Sequence, residues 1–246
     1  MKFDFSDKNI LITGGTRGIG AEIAKAFLQL GGKVTVTGRS ENFKVPESLS
    51  SFEDTLQYFQ ADFMSDSDTL NLTKHIESKG YDVLINNAGI NKIALVENIS
   101  DEDWLSINKV NLQTPFQLTR AAVPNMKAKG WGRIVNISSI FGLISKSMRS
   151  SYSMSKSGLN GLTRASSLDC AQHGVLINSL SPGFIDTELT RTILSEAEIT
   201  ELTNQVPMKR LGSVEDIAKT TLFLCSNHNN FITGQNIVVD GGFTCV

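Results

Sequence analysis

Tyr152 and Lys156 stand four residues apart in a helix-like stretch that follows a serine-rich loop. An i,i+4 pair shares one helix face, so the ammonium can lie near the phenol. A nearby cation favours phenolate and draws a tyrosine pKa down from its ordinary value of about 10 toward working pH, which is proton-transfer chemistry. A Tyr-x-x-x-Lys spacing alone is common by chance, so its company matters. Ser139 precedes Tyr152 at the end of the apolar run Arg133 to Ile137, and Asn111 lies in the long helical segment before that run.

The second chemical feature is Thr13-Gly14-Gly15-Thr16-Arg17-Gly18-Ile19-Gly20, directly after the apolar run Asn9 to Thr13. A glycine-rich turn between strand and helix lets backbone N–H groups approach a diphosphate, and the helix N-terminus stabilises its charge. The turn has that context here, so it is expected to bind a dinucleotide.

The elements that must position these residues alternate along the chain. Apolar runs at Asn9–Thr13, Lys33–Thr37, Tyr58–Ala61, Val83–Asn86, Arg133–Ile137, Val175–Leu180 and Asn236–Asp240 read as strands. Helical spacing covers Ile19–Leu30, Asp66–Lys79, Asp101–Lys129, Tyr152–His173 and Ser213–Ser226. Ser100 is the expected N-cap of the third helix and Gly130 its stop, with Pro115 and Pro124 disturbing it locally. Gly38–Thr55 and Thr187–Gly212 are the least regular stretches. About seven strands with intervening helices predict an α/β, doubly wound parallel sheet with helices on both faces. No linker divides it, so residues 1–246 are expected to form a single domain. Ligands of such sheets lie beyond the carboxyl ends of the strands.

The TGxxxGxG spacing, with Asn111, Ser139, Tyr152 and Lys156 in order, resembles the short-chain dehydrogenase/reductase family in its shorter single-domain branch, a Rossmann fold. Asn86-Asn87-Ala88-Gly89 matches the family's NNAG element, Asp62 (with Phe63 beside it) the acid expected at adenine, and Ser181-Pro182-Gly183-Phe184-Ile185-Asp186-Thr187 the PG element beside nicotinamide. The resemblance covers nearly the whole chain and implies a hydride transfer between a ketone and a secondary alcohol. It implies that Ser139 donates to the substrate carbonyl, Tyr152 supplies the proton, and Lys156 lowers the tyrosine pKa and binds the nicotinamide ribose. Asn111 is implied to hold a water on the proton path. Ile185 is implied to contribute backbone and Thr187 its hydroxyl. The hydride chemistry belongs to the cofactor; the protein aligns and polarises.

Cofactor choice follows from the end of the second strand. NAD sites of this kind place an acid about 20 residues beyond the glycines, but here the strand ends Val36-Thr37-Gly38-Arg39-Ser40 with no acid until Glu41. Arg39 can pair with a 2′-phosphate beside Ser40, and Arg17 can close the other side. NADP(H) is expected over NAD(H).

The substrate is less legible. The chain resembles the 3-oxoacyl-carrier-protein reductases of the family, yet their two carrier-docking arginines fall at Gly130 and His173 here, with Lys129 as a partial substitute. Between Ser139 and Tyr152 the loop carries Lys146 and Arg149, which either extend into solvent or meet a carboxylate or phosphate on a small acidic substrate. Phe141, Ile144, Met148 and Phe184 either line an apolar wall or simply pack. A carbonyl reductase of small acidic or hydroxylated metabolites is therefore expected, with a carrier-protein reductase and a non-catalytic dinucleotide sensor as alternatives.

The 23 Lys+Arg against 25 Asp+Glu, a net charge of -2, argue against a nucleic-acid partner. No apolar run approaches the roughly 20 residues of a membrane helix, and two acids stand where a signal peptide would be basic. A cytoplasmic protein is expected. Three scattered cysteines and three isolated histidines offer neither a disulfide framework nor a metal site. The family resemblance implies a homo-oligomer, commonly a tetramer, and the apolar tail Phe243 to Val246 fits burial at such a contact.

Overall fold

The computed structural model describes residues 2–193 and 195–245; Val246 of the apolar tail and Leu194 within the irregular Thr187–Gly212 stretch lie outside them. Among the described residues seven strands make one sheet: β1 (Asn9–Ile12), β2 (Lys33–Gly38), β3 (Gln57–Gln60), β4 (Val83–Asn86), β5 (Gly132–Ile137), β6 (Val175–Pro182) and β7 (Asn236–Val239). Their order is β3-β2-β1-β4-β5-β6-β7, and every pairing is parallel. All carboxyl ends therefore meet one edge, and the direction of winding reverses between β1 and β4, where such sheets open a crevice for ligand.

Alternation within each strand divides the core. Ile10 and Ile12 pack with α1 (Gly18–Gln29) and α8 (Val214–Cys225) on one face. Leu11, Leu84 and Ile134 pack with α2 (Asp66–Lys79) and α4 (Thr114–Lys129) on the other. That second face also carries α5 (Ser150–Cys170), whose Cys170 joins the same cluster.

Element positions agree with the sequence reading except where helices are interrupted. The expected continuous helix Asp101–Lys129 is α3 (Asp101–Asn108) and α4 joined by a π-turn, Lys109–Gln113. Pro115 lies at the start of α4, directly after the π-turn, and has no N–H to donate back into it. The wider turn lies just upstream of it. α5 ends at Cys170 and a 3₁₀ turn carries the chain to Gly174. Within Thr187–Gly212 the chain forms α6 (Glu188–Ile193) and α7 (Glu196–Gln205).

A polar seam crosses the buried centre. Asn86 and Asn136 are register neighbours, and Asn86 Nδ2 donates to Asn136 Oδ1 at 2.8 Å. Asn136 Nδ2 donates to Thr163 Oγ1 of α5 at 2.8 Å, which meets Ser179 Oγ of β6 at 2.6 Å. Removing one member of a buried network strands its partners without water, at about 1–3 kcal/mol each. Asn136→Ala is expected to lower folding stability by about 2–4 kcal/mol, read as a lower urea midpoint with unchanged slope. A midpoint within error of wild type would show the seam to be dispensable.

Candidate active site

The glycine loop is clamped from β4. Thr13 Oγ1 accepts from the N–H groups of Asn87 and Ala88 at 3.0 Å. Asn87 Nδ2 donates to the carbonyls of Thr13 and Gly14 at 2.9 and 3.0 Å. Asn87 thus acts chiefly by holding the loop. Gly14 and Gly18 have φ of +62° and +54°, the left-handed region that glycine reaches without strain. At Gly20 a Cβ would run into the Gly14 carbonyl and Asn87 Nδ2. The N-terminus of α1, beginning at Gly18, has neither a side-chain cap nor an acid in its first turn, which leaves its N–H groups for an anion. Thr16 and Ile19 flank that opening.

Beyond β2 a recess of about 240 Å³ is lined by Thr16, Arg39, Ser40, Asn42, Lys44 and Tyr58, among others. Tyr58 stacks on Phe43 with ring centroids 4.1 Å apart and donates to the Ser40 carbonyl at 2.7 Å. No carboxylate lines this recess. Arg17 is not part of it; it is exposed at the N-cap of α1. Lys44 adds a second cation to the lining of the recess, a residue without a sequence signal because it lies in the irregular stretch after β2.

At the expected adenine position, Asp62 Oδ1 accepts from Met64 N at 2.9 Å, while Phe63 turns its ring into the core. Lys109 Nζ holds this turn, donating to the Met64 carbonyl at 2.7 Å and pairing with Asp66 at 2.8 Å. Lys109 opens the π-turn, so the adenine side is tied to the element carrying Asn111. Asn111 is 1 % exposed and staples Ile90: Oδ1 accepts from its N–H at 2.8 Å and Nδ2 donates to its carbonyl at 2.9 Å. Asn111 Nδ2 also donates to Ser155 Oγ at 3.1 Å. Gly89 lies against both Asn111 Oδ1 and Lys156 Nζ, within about 3.5 Å of an added Cβ.

Ser139 stands just past β5, its Oγ accepting from Phe141 N at 3.1 Å. Lys156, 4 % exposed, donates through Nζ to the Ile137 carbonyl at 2.8 Å and sits 5.6 Å from the Tyr152 ring centroid. Burial lowers the Lys156 pKa to about 8. The Tyr152 phenol, contrary to the sequence expectation, is raised above its ordinary value. Burial dominates, the adjacent Ser139 hydroxyl and the Arg149 charge oppose it, and the opposing cation is Arg149 rather than Lys156.

The far wall comes from β6 and beyond. Pro182 ends β6, and Gly183 N donates to the Val239 carbonyl at 2.9 Å, so close to β7 that a Cβ would reach Asp240. Ile185 bridges Gly212. The Thr187 hydroxyl accepts from Thr190 N at 3.2 Å and so starts α6. Phe184 meets Phe141 and Phe243 edge-on, at 6.3 and 5.0 Å. Lys146 is exposed, its charge reaching Glu198 at the start of α7. Among the described residues no three His, Cys, Asp or Glu side chains cluster as metal ligands, and no helix is long and apolar enough to cross a membrane.

A family profile described as enoyl-(acyl carrier protein) reductase matches residues 14–244, which takes in both the glycine loop and the Tyr152–Lys156 pair. The chain belongs to the short-chain dehydrogenase/reductase family. The 3-oxoacyl-(acyl-carrier-protein) reductase of Rickettsia typhi is 35% identical over 243 residues, 99% of each chain. The D-beta-hydroxybutyrate dehydrogenase of Rhizobium meliloti is 34% identical over 258 aligned positions, covering 96% of this chain and 98% of the relative. Among solved structures, a gluconate 5-dehydrogenase from Burkholderia cenocepacia in complex with NADP and tartrate superposes with a TM-score of 0.90 at 29% identity, covering 99% of this chain and 98% of that one. These short-chain dehydrogenase/reductase relatives share the fold end to end.

Lys156 gives a stability test. Its folded pKa lies below the unfolded value of 10.5, so between about pH 8 and 10.5 the unfolded chain binds more protons and stability rises with pH. Below that window the buried charge costs the fold its full penalty. Lys156→Met should therefore raise thermal stability at pH 7, by about 1–3 kcal/mol after the lost Ile137 bond, and the gain should shrink toward pH 10.5. A variant no more stable than wild type at pH 7 would contradict this.

Proposed function

We propose that the protein is an NADP(H)-dependent oxidoreductase interconverting a ketone and a secondary alcohol. The observation that carries this reading is the convergence, at the carboxyl edge of one parallel sheet, of a basic recess without acids and a half-buried Tyr152 over a buried Lys156, beside Ser139. The gluconate 5-dehydrogenase structure with NADP bound supports the cofactor.

NADPH, when bound, supplies the hydride. The chain supplies the rest. The α1 N-terminus receives the diphosphate, and Arg39, Ser40 and Lys44 form charge-assisted bonds to a 2′-phosphate. Ser139 donates to the substrate carbonyl oxygen and Tyr152 delivers its proton there. A phenol whose pKa is raised stays protonated at neutral pH, which suits reduction. Lys156, next to the phenol, orients the nicotinamide ribose. Asn111 shapes the floor through Ile90 and Ser155 and leaves one Oδ1 lone pair for a water on the proton path.

A small molecule fits better than a carrier protein. Lys129, the one candidate to replace a docking arginine, donates to Asp82 Oδ1 and the Gly80 carbonyl, both at 2.7 Å. With Gly130 and His173 at the docking positions, no fixed pair of arginines faces an acidic partner. Exposed Trp104, Leu105, Phe116 and Leu168 on α3, α4 and α5 support a homo-oligomer, with a tetramer the form the family resemblance implies.

Tyr152→Phe should reduce ketone turnover at least 100-fold with NADPH affinity within about twofold, followed by NADPH absorbance and fluorescence titration. Near-normal turnover in that variant would remove Tyr152 as the acid. Separately, Arg39→Ala with Lys44→Ala should cut the preference for NADPH over NADH by about 100-fold, compared as kcat/KM with each cofactor. An unaltered preference would place the 2′-phosphate elsewhere.

A further inference from the structure

We propose that Arg149 and the start of α5 form an anion subsite that takes the carboxylate of an oxo- or hydroxy-acid substrate while its carbonyl lies against Ser139 and Tyr152. This rests on the oxidoreductase reading above and adds the substrate class to it.

A recess of about 270 Å³ opens between the substrate loop and the segment before α3, and its lining includes Leu95, Val96, Glu97, Lys146, Met148 and Arg149. Arg149 is the N-cap of α5 and lies three residues before Tyr152. Its Nε is buried without a hydrogen-bond partner, and its Nη1 reaches only the Met148 carbonyl, at 3.4 Å. No ion pair among the described residues includes it. Two residues on, Ser151 is 0 % exposed and its hydroxyl also has no partner. Buried N–H and O–H groups are normally matched, because leaving one unmatched costs about 1–3 kcal/mol.

The helix end sharpens the point. The 21-residue α5 has no side-chain cap and no acid in its first turn, and the residue at its positive end is itself a cation, the unfavourable sign. α2, α7 and α8 each begin instead with a capping serine and acidic residues. A carboxylate in the recess would satisfy the guanidinium and the free N–H groups of the first turn together. Leu95, Val96 and Met148 would cover a short hydrocarbon stem. Glu97, on the same wall, disfavours a dianionic phosphate and leaves a monoanionic carboxylate as the fitting group.

The subsite also acts on the proton donor. The Arg149 charge draws the Tyr152 phenol downward. A bound carboxylate would offset that pull and push the pKa of the phenol, already protonated at neutral pH through its burial, further up.

The test compares NADPH oxidation by the full chain with 4-oxopentanoate and 5-oxohexanoate, each beside its ethyl ester. Wild type should favour acid over ester in kcat/KM by at least about tenfold. Arg149→Met should lower that ratio about tenfold or more, and Arg149→Lys should retain part of it. In wild type, added salt should raise KM for the acids and leave the esters flat, a readout independent of whether a variant folds. A ratio unchanged in Arg149→Met, or equal salt dependence for acid and ester, overturns the subsite. Turnover of esters alone leaves the oxidoreductase reading standing and rejects this one. Turnover of none, with NADPH bound, rejects the oxidoreductase reading. The subsite is then judged by quenching of bound NADPH fluorescence on adding 4-oxopentanoate, and a response that persists in Arg149→Met overturns it.

Discussion

The hydrogen-bonded row Asn86–Asn136–Thr163–Ser179 is the constraint on which the rest of the site depends. Hydrocarbon packing tolerates a helix rolling by some degrees against a sheet, whereas a buried amide-to-hydroxyl bond does not. Thr163 lies seven residues beyond Lys156 and eleven beyond Tyr152 on α5. At about 100° per residue these offsets return to within about 20° of the same direction. Fixing Thr163 against the middle of the sheet therefore aims Tyr152 and Lys156 at its carboxyl edge. Asn136 works the seam from β5, the strand that also carries the chain to Ser139, so acid, ammonium and hydroxyl are referred to a common origin.

Electrostatics then divide the edge into two basic territories. One lies past β2, where Arg39 and Lys44 face the recess; the other begins at the N-terminus of α5 with Arg149. Between them Lys156 is desolvated and bonded to the Ile137 carbonyl. A net charge of -2 conceals this arrangement. Glu97 lines the second recess, while other acids lie in helix first turns and in surface pairs such as Asp186–Arg191 and Asp216–Arg210.

The parallel sheet, the glycine loop and the Tyr152–Lys156 pair were legible because each has a local signal: β-branched runs, glycines flanked by strand and helix, and a four-residue spacing. What escaped depends on register or on solvent. The π-turn at Lys109–Gln113 has no composition of its own, and the residues of α3 and α4 continue a helical pattern across it. Lys146 and Arg149 read alike in the chain, yet one is exposed and the other half-buried at the helix start, a difference made by the fold of the loop between them, where Met148 takes a φ of +66°. Lys44 was missed for a similar reason: it lies in the irregular stretch after β2, where no local pattern marks which side chain faces the recess. The direction of the Tyr152 pKa was misread because spacing reports a neighbouring charge but not the depth at which the phenol sits.

The π-turn also makes this chain unevenly tolerant of length change. It holds one residue more than α-helical bonding would need, so a single deletion between Lys109 and Gln113 would be absorbed with the backbone bonds re-formed as ordinary helix. Yet that mending would leave α3 and α4 nearly in phase, because the wide turn takes up its extra residue locally; the cost would fall on the turn itself, whose Lys109 and Asn111 would lose their places against the Met64 carbonyl and Ile90. The secondary structure would look improved while the adenine turn and the active-site floor came apart. In this segment the irregular residue is a spacer, and its value lies in the bonds it keeps from becoming regular.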